Sequence, residues 1–259
     1  MRKALVAANW KVNGNLGDIA AYSASLQCPD PEFVEVAIFP PAVYLSEMAR
    51  ALGQQSAAVG IQDVGIAAKG AHTGEIAAQM VAELGGSWAI VGHSERRLDQ
   101  HETDDLVATK ALAALQGGLN AMICVGETLA ERQAGHEIAV VERQLEAVLD
   151  RLEPNQLAQC GIGYEPVWAI GTGETASPDE AQAMHSFIRA KIGDWDAQTG
   201  AAIRIVYGGS VKPENAHELF SELDIDGGLV GGASLSAEDF STILAAAEKT
   251  TKAKANMAD

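Results

Sequence analysis

Basic residues are scarce in this chain. Eighteen lysines and arginines stand against 35 aspartates and glutamates, a formal charge of −17 over 259 residues. That balance argues against nucleic acid or an anionic membrane as the main partner, because polyanions are held through clustered positive charge. Cysteine is sparse as well. Cys28, Cys124 and Cys160 form no CxxC and no paired spacing, which supports neither a disulfide framework nor a zinc site and suits a reducing, cytoplasmic compartment. No run approaches the roughly 20 apolar residues of a membrane-spanning helix. The apolar start of the chain is broken by Asn9 and Lys11 before it reaches signal-peptide length. Walker-type and GxGxxG spacings are also missing, so no nucleotide is indicated.

What is present is repetition of a unit. Short runs rich in Val, Ile and Ala alternate with amphipathic stretches, the pattern of parallel strands joined by helical crossovers. Eight strands are expected, at residues 5–9, 36–39, 59–62, 88–91, 121–125, 161–164, 203–207 and 227–230. Most are apolar throughout, as strands covered on both faces should be. The clearest helix is expected over 138–152, where Val141, Leu145, Val148, Leu149 and Leu152 recur at helical spacing. Ser177-Pro178, Pro213 and Ser236 mark further helix starts. The expectation is one α/β domain over 1–259, with 249–259 a frayed tail. Eight strand-helix units in about 250 residues fit a closed (β/α)8 barrel, with an open doubly wound sheet as the alternative.

The placement of polar residues decides between them. Asn9 and Lys11, Gln62, His93 and Glu95, Glu127, Glu165, Ser210 and the Gly231-Gly232 pair each follow the carboxyl end of an expected strand. In a barrel those loops share one face, so distant residues converge on one ligand.

The stretch GYEPVWAIGTG at 163–173 carries the most chemistry. Pro166 pushes Glu165 toward extended geometry at a strand end, and the apolar, glycine-containing segment behind it suits a lid that closes over a bound molecule and excludes water. Lys11, flanked by Asn9 and Asn13, supplies fixed charge for an anion. His93 precedes a short helix opened by Ser94 and Glu95. The positive end of that helix favours imidazole over imidazolium, leaving an N–H that can polarise a carbonyl. YGGS at 207–210 and VGGAS at 230–234 are glycine pairs after the last two strands, where barrels gather backbone N–H groups around a phosphate. Together these groups suit proton abstraction next to a carbonyl, with Glu165 as base and His93 and Lys11 around the developing oxyanion.

Seven segments, AANWKVNG, GAHTGE, VGHSERR, CVGET, YEPVWAIGTG, YGGSV and VGGASL, follow in an order and spacing that resemble the triosephosphate isomerase family along essentially the whole chain. The resemblance implies a TIM barrel that interconverts dihydroxyacetone phosphate and glyceraldehyde 3-phosphate without cofactor or metal. It implies Glu165 as base, His93 as electrophile, Lys11 and Asn9 as substrate binders and Glu95 as a supporting residue. It also implies phosphate contacts from Gly171, Ser210, Gly231 and Gly232, and a homodimer in which the loop at 71–75 carries Thr73 toward the partner's site. His72 stands where the family usually has an aromatic residue, Gln100 and His101 replace an aromatic-glycine pair, and Glu174 replaces a hinge lysine. Two other readings stay open: a Schiff-base aldolase using Lys11, and a non-catalytic phosphate-binding barrel. Retention of Lys11, His93 and Glu165 together argues against the latter, because binding alone needs no base.

Overall fold

The computed structural model describes residues 2–170 and 176–256. Among them eight apolar segments pair as parallel strands: β1 Ala4–Asn9, β2 Val34–Phe39, β3 Ala57–Ile61, β4 Gly86–Val91, β5 Asn120–Val125, β6 Cys160–Tyr164, β7 Arg204–Tyr207 and β8 Gly227–Val230. Each strand bonds to the next in sequence order, and β8 closes on β1 with Leu5 opposite Gly227 and Ala8 opposite Val230. That last pairing makes the sheet a closed barrel and excludes the open, doubly wound alternative.

Strand periodicity explains why nearly every position is apolar. Successive side chains face opposite sides. Leu5 and Ala7, Ala37 and Phe39, Trp88 and Ile90, and Met122 and Cys124 form one cluster that fills the barrel. Their neighbours Val6, Ala8, Val36, Ile38, Val91 and Ile123 belong to a second, larger cluster against the surrounding helices. Both faces are dry, so neither tolerates a polar alternation.

The helix starts fall where the sequence signals them. Ser177 caps the Pro178–Trp195 helix through a capping box with Glu180, and Pro213 opens the Pro213–Ser221 helix. The amphipathic helix spans Glu137–Leu149, and Leu152 stays buried beyond its end. β3 ends at Ile61, which leaves Gln62 free to reach across the barrel mouth.

One expectation needs correction. The chain does not fray at residue 249, because the last helix runs Ala237–Asn256. Thr250 and Thr251 are buried on its inner face, and the Lys254 ammonium donates to the carbonyl oxygens of Ile225, at 3.2 Å, and Glu222. Those bonds tie the helix to the connection that leads into β8. His101 adopts φ 56, a left-handed conformation that glycine would enter without strain.

Candidate active site

Because every strand is parallel, all eight carboxyl ends open on one side of the barrel. There lies a cavity of about 600 Å³ whose wall includes Asn9 and Lys11 after β1, His93 after β4 and Glu165 after β6. Ser210 after β7 and the Gly231-Gly232 pair after β8 line the same space.

Lys11 takes φ 51, rare for a residue with a side chain. Hydrogen bonds on both sides hold it there. Its N–H donates to Asn9 Oδ1 at 3.0 Å, and Gln62 Nε2 donates to its carbonyl at 2.7 Å and to that of Phe39 at 2.9 Å. The strain persists because its surroundings over-determine it. The ammonium lies 2.6 Å from Glu95 Oε1, and Glu95 is itself about half exposed.

His93 caps the Ser94–Asp99 helix, and its Nδ1 accepts the Glu95 N–H at 3.3 Å. A ring nitrogen that accepts carries no proton, so the ring's N–H is on Nε2. Nε2 stands 3.0 Å from Glu165 Oε1.

Glu165 is 2% exposed. Its N–H donates to Val125 O at 2.8 Å, which extends the strand geometry past β6 as the following proline requires. Its other carboxylate oxygen accepts the Ser94 N–H at 2.8 Å. Two glycines make room for this residue. A Cβ on Gly126 would lie 1.8 Å from the Glu165 carbonyl oxygen, and one on Gly208 would lie 2.8 Å from its Cγ. Burial, and then the nearby Glu165 charge, push the Cys124 thiol well above the usual thiol range, so it serves as inert packing behind the site.

The stem that leads out of β6 is anchored just as firmly. Fully buried Glu127 accepts from Trp168 Nε1 at 2.9 Å, from the Tyr164 hydroxyl at 3.2 Å and from Arg132 at 3.3 Å. Burial pushes its carboxyl up, and those donors oppose the shift. The Arg132 guanidinium also lies 4.8 Å over the Trp168 ring. Past this stem, Ile170 reaches the cavity wall. Gly171 and Glu174 lie outside the described residues. Beyond them, the Ala176 N–H donates to the Tyr207 hydroxyl at 3.3 Å.

On the opposite wall, Asn215 Nδ2 donates to Ser210 O at 2.9 Å, and Ser234 donates to Gly231 O through both its N–H, at 2.8 Å, and its hydroxyl, at 2.7 Å. The geometry thus brings together Asn9, Lys11, His93, Glu165, Ser210, Gly231 and Gly232. It does not bring in Thr73, which sits on a projecting loop whose residues 68–75 are all exposed. Sequence reasoning missed the Ser94 N–H, because a main-chain donor has no residue signature. It also gave Gln62 no role beyond its place at a strand end. Among the described residues no cluster of three or more His, Cys, Asp or Glu could hold a metal ion.

The profile of the triosephosphate isomerase family matches residues 4–247. The triosephosphate isomerase of Cupriavidus pinatubonensis is 51% identical over 243 residues, covering 94% of this chain and 99% of its own length. That of Thiobacillus denitrificans is 51% identical over 249 residues, with 96% and 100% covered. That of Bordetella pertussis is 51% identical over 246 residues, with 95% and 98% covered.

Proposed function

Since the chain belongs to the triosephosphate isomerase family and interconverts dihydroxyacetone phosphate and D-glyceraldehyde 3-phosphate, we propose that Glu165 is the base that moves the proton between the two carbons. It removes a proton from the carbon beside the carbonyl and returns it to the neighbouring carbon through an enediol or enediolate. His93 Nε2–H and the Lys11 ammonium face the developing oxyanion, with Asn9 holding Lys11 in place. Ser210, Gly231, Gly232 and Gly171 hold the phosphate through N–H groups and a hydroxyl. One proton moves between the two carbons and one between their oxygens, and one carbon is oxidised as its neighbour is reduced, so the reaction needs no external oxidant or reductant, and the cationic and neutral donors supply the electrophilic assistance.

The observation that carries this reading is the 3.0 Å separation of His93 Nε2 from a Glu165 carboxylate oxygen at the wall of one cavity that also holds Lys11. A base and an electrophile this close can act on adjacent atoms of a small substrate. The lid beginning at Val167 excludes water when it closes, protecting an intermediate prone to lose its phosphate. The deciding experiment is a coupled assay with each triose phosphate in deuterated water. Isomerisation with solvent label on the transferred position is expected from the wild type and lost with Glu165→Gln. Full turnover by that variant would sink the assignment of the base.

The same reading includes a homodimer and a cytoplasmic, glycolytic and gluconeogenic role. Supporting the dimer are the projecting loop with Thr73 and the exposed apolar side chains of Val12, Leu16, Val43, Leu84 and Leu98, surface that a second copy of the chain would cover. Sedimentation at micromolar concentration should give twice the chain mass. No described helix is long and apolar enough to cross a membrane, and the charge of −17 disfavours nucleic acid.

A further inference from the structure

The substrate is a phosphate dianion, and the chain it must approach carries −17. At physiological salt the Debye length is about 8 Å, so remote carboxylates are largely screened and the charges at the cavity mouth decide the encounter. Among the described residues, the charged side chains lining the cavity besides Glu165 are Lys11, Lys212, Glu214 and Asp239. Lys11 is committed to Glu95 at 2.6 Å. Lys212 is exposed and, among the described residues, has no carboxylate within ion-pair distance.

The main chain at Lys212 is fixed next to the phosphate end of the cavity. Its N–H donates to Asn215 Oδ1 at 2.8 Å, and the same amide's Nδ2 donates to Ser210 O at 2.9 Å. One asparagine thus spans the segment from the phosphate-binding serine to the lysine. Pro213 follows at the first position of a helix and stiffens the exit. An ordinary surface lysine has neither this tether nor this place on the cavity wall.

We propose that Lys212 captures the substrate phosphate at the cavity mouth, a steering role separate from the Lys11 contribution at the reacting atoms. The inference rests on the isomerase reading above. Without Lys212, Glu214 and Asp239 leave the mouth negative toward an incoming dianion. With it, the phosphate meets a free cation one step outside Ser210 and passes inward to the main-chain donors at Gly231 and Gly232. Steering of this kind acts on association and fades with salt.

The test compares wild type with Lys212→Gln, Lys212→Glu and Lys212→Arg, and with Lys249→Gln, which removes an equal charge from the exposed side of the last helix. Steady-state kinetics with glyceraldehyde 3-phosphate are measured from about 10 mM to about 300 mM ionic strength, with folding checked by circular dichroism. Lys212→Gln is expected to lower kcat/KM about fivefold at low salt, as loss of one charge about 7 Å from a dianion in water would when screened over a Debye length of about 30 Å, with kcat within about twofold of wild type. The gap should close toward 300 mM. Lys212→Glu should deepen the loss and Lys212→Arg should restore the wild-type value. Three results would overturn the proposal: Lys212→Gln matching Lys249→Gln at low salt, a deficit that salt does not reduce, or a fall in kcat as large as that in kcat/KM. If wild type itself failed to isomerise either triose phosphate, the underlying activity would fall, and that outcome is visible before any variant is compared.

Discussion

Glu165 Oε2 accepts the main-chain N–H of Ser94 at 2.8 Å, across 71 residues of sequence. The carboxylate therefore rests against the first turn of a helix, where an anion is favoured, and the length of its side chain sets how far it reaches from β6. Glu165→Asp withdraws the carboxylate by roughly 1 Å, a misplacement of a size that can cost about 10²-fold in rate. The expected result is a kcat reduced by that order with KM changed little. A kcat equal to wild type would mean that another group takes the proton.

Gln62 is the clamp on the strained residue of the site. Gln62→Ala removes donors to the Lys11 and Phe39 carbonyls. Each lost bond should destabilise the fold by about 1 kcal/mol, and Lys11 should relax from its left-handed conformation. Expected are a lower denaturation midpoint and about a tenfold loss of kcat/KM, read by urea titration and steady-state kinetics. Unchanged activity would show that the ammonium finds its place without the backbone strain.

Gly126 approaches the Glu165 backbone more closely than any side chain allows, with a Cβ there only 1.8 Å from the carbonyl oxygen. Gly126→Ala must push apart the ends of β5 and β6, an overpacking effect of about 1–3 kcal/mol. The Glu165 carboxylate moves with its backbone, so, with Glu165 as the proposed base, thermal stability and kcat should fall together. An alanine variant that keeps full kcat would show that the strand ends yield without moving the carboxylate.

His185 gives the fold an acid-sensitive element away from the cavity. It is fully buried, its Nδ1 lies 3.3 Å from Asp224 O, and its Nε2 has no hydrogen-bond partner among the described residues. Desolvation is the largest influence on its titration and pushes the pKa down from 6.5 to about 4, against the opposing charge of Asp226. The unfolded chain takes up this proton first as pH falls. The associated stability is therefore present above pH ~6.5 and lost progressively down to pH ~4, an effect of about 3 kcal/mol. His185→Gln should flatten that limb in urea unfolding measured at several pH values. An unaltered slope would place the acid sensitivity in other groups.

Much of the site was legible before any coordinates. Pro166 after Glu165, the helix start after His93 and the glycine pairs at 208–209 and 231–232 act through local backbone geometry, which neighbouring residues dictate. The unit repeat was legible because strands buried on both faces must be apolar throughout. Other features had no local cause. The last helix holds to Asn256 because Lys254 reaches the carbonyls of Glu222 and Ile225, a contact between segments distant in sequence. The Ser94 anchor of Glu165 is a main-chain group that every residue but proline possesses. Lys212 reads as one more solvated lysine until the cavity is seen to extend past it.

The order of the strands and the chemical type of each group at their ends were thus set by the chain itself, through patterning that acts over a few residues. Which of those groups meet, and at what distance, was decided by closure of β8 onto β1. That one pairing bends the sheet into a ring, so Lys11 and Glu95, 84 residues apart, come within 2.6 Å. Such distances depend on packing of the whole barrel interior, where a misfit anywhere shifts the mouth, and no window of sequence contains that information.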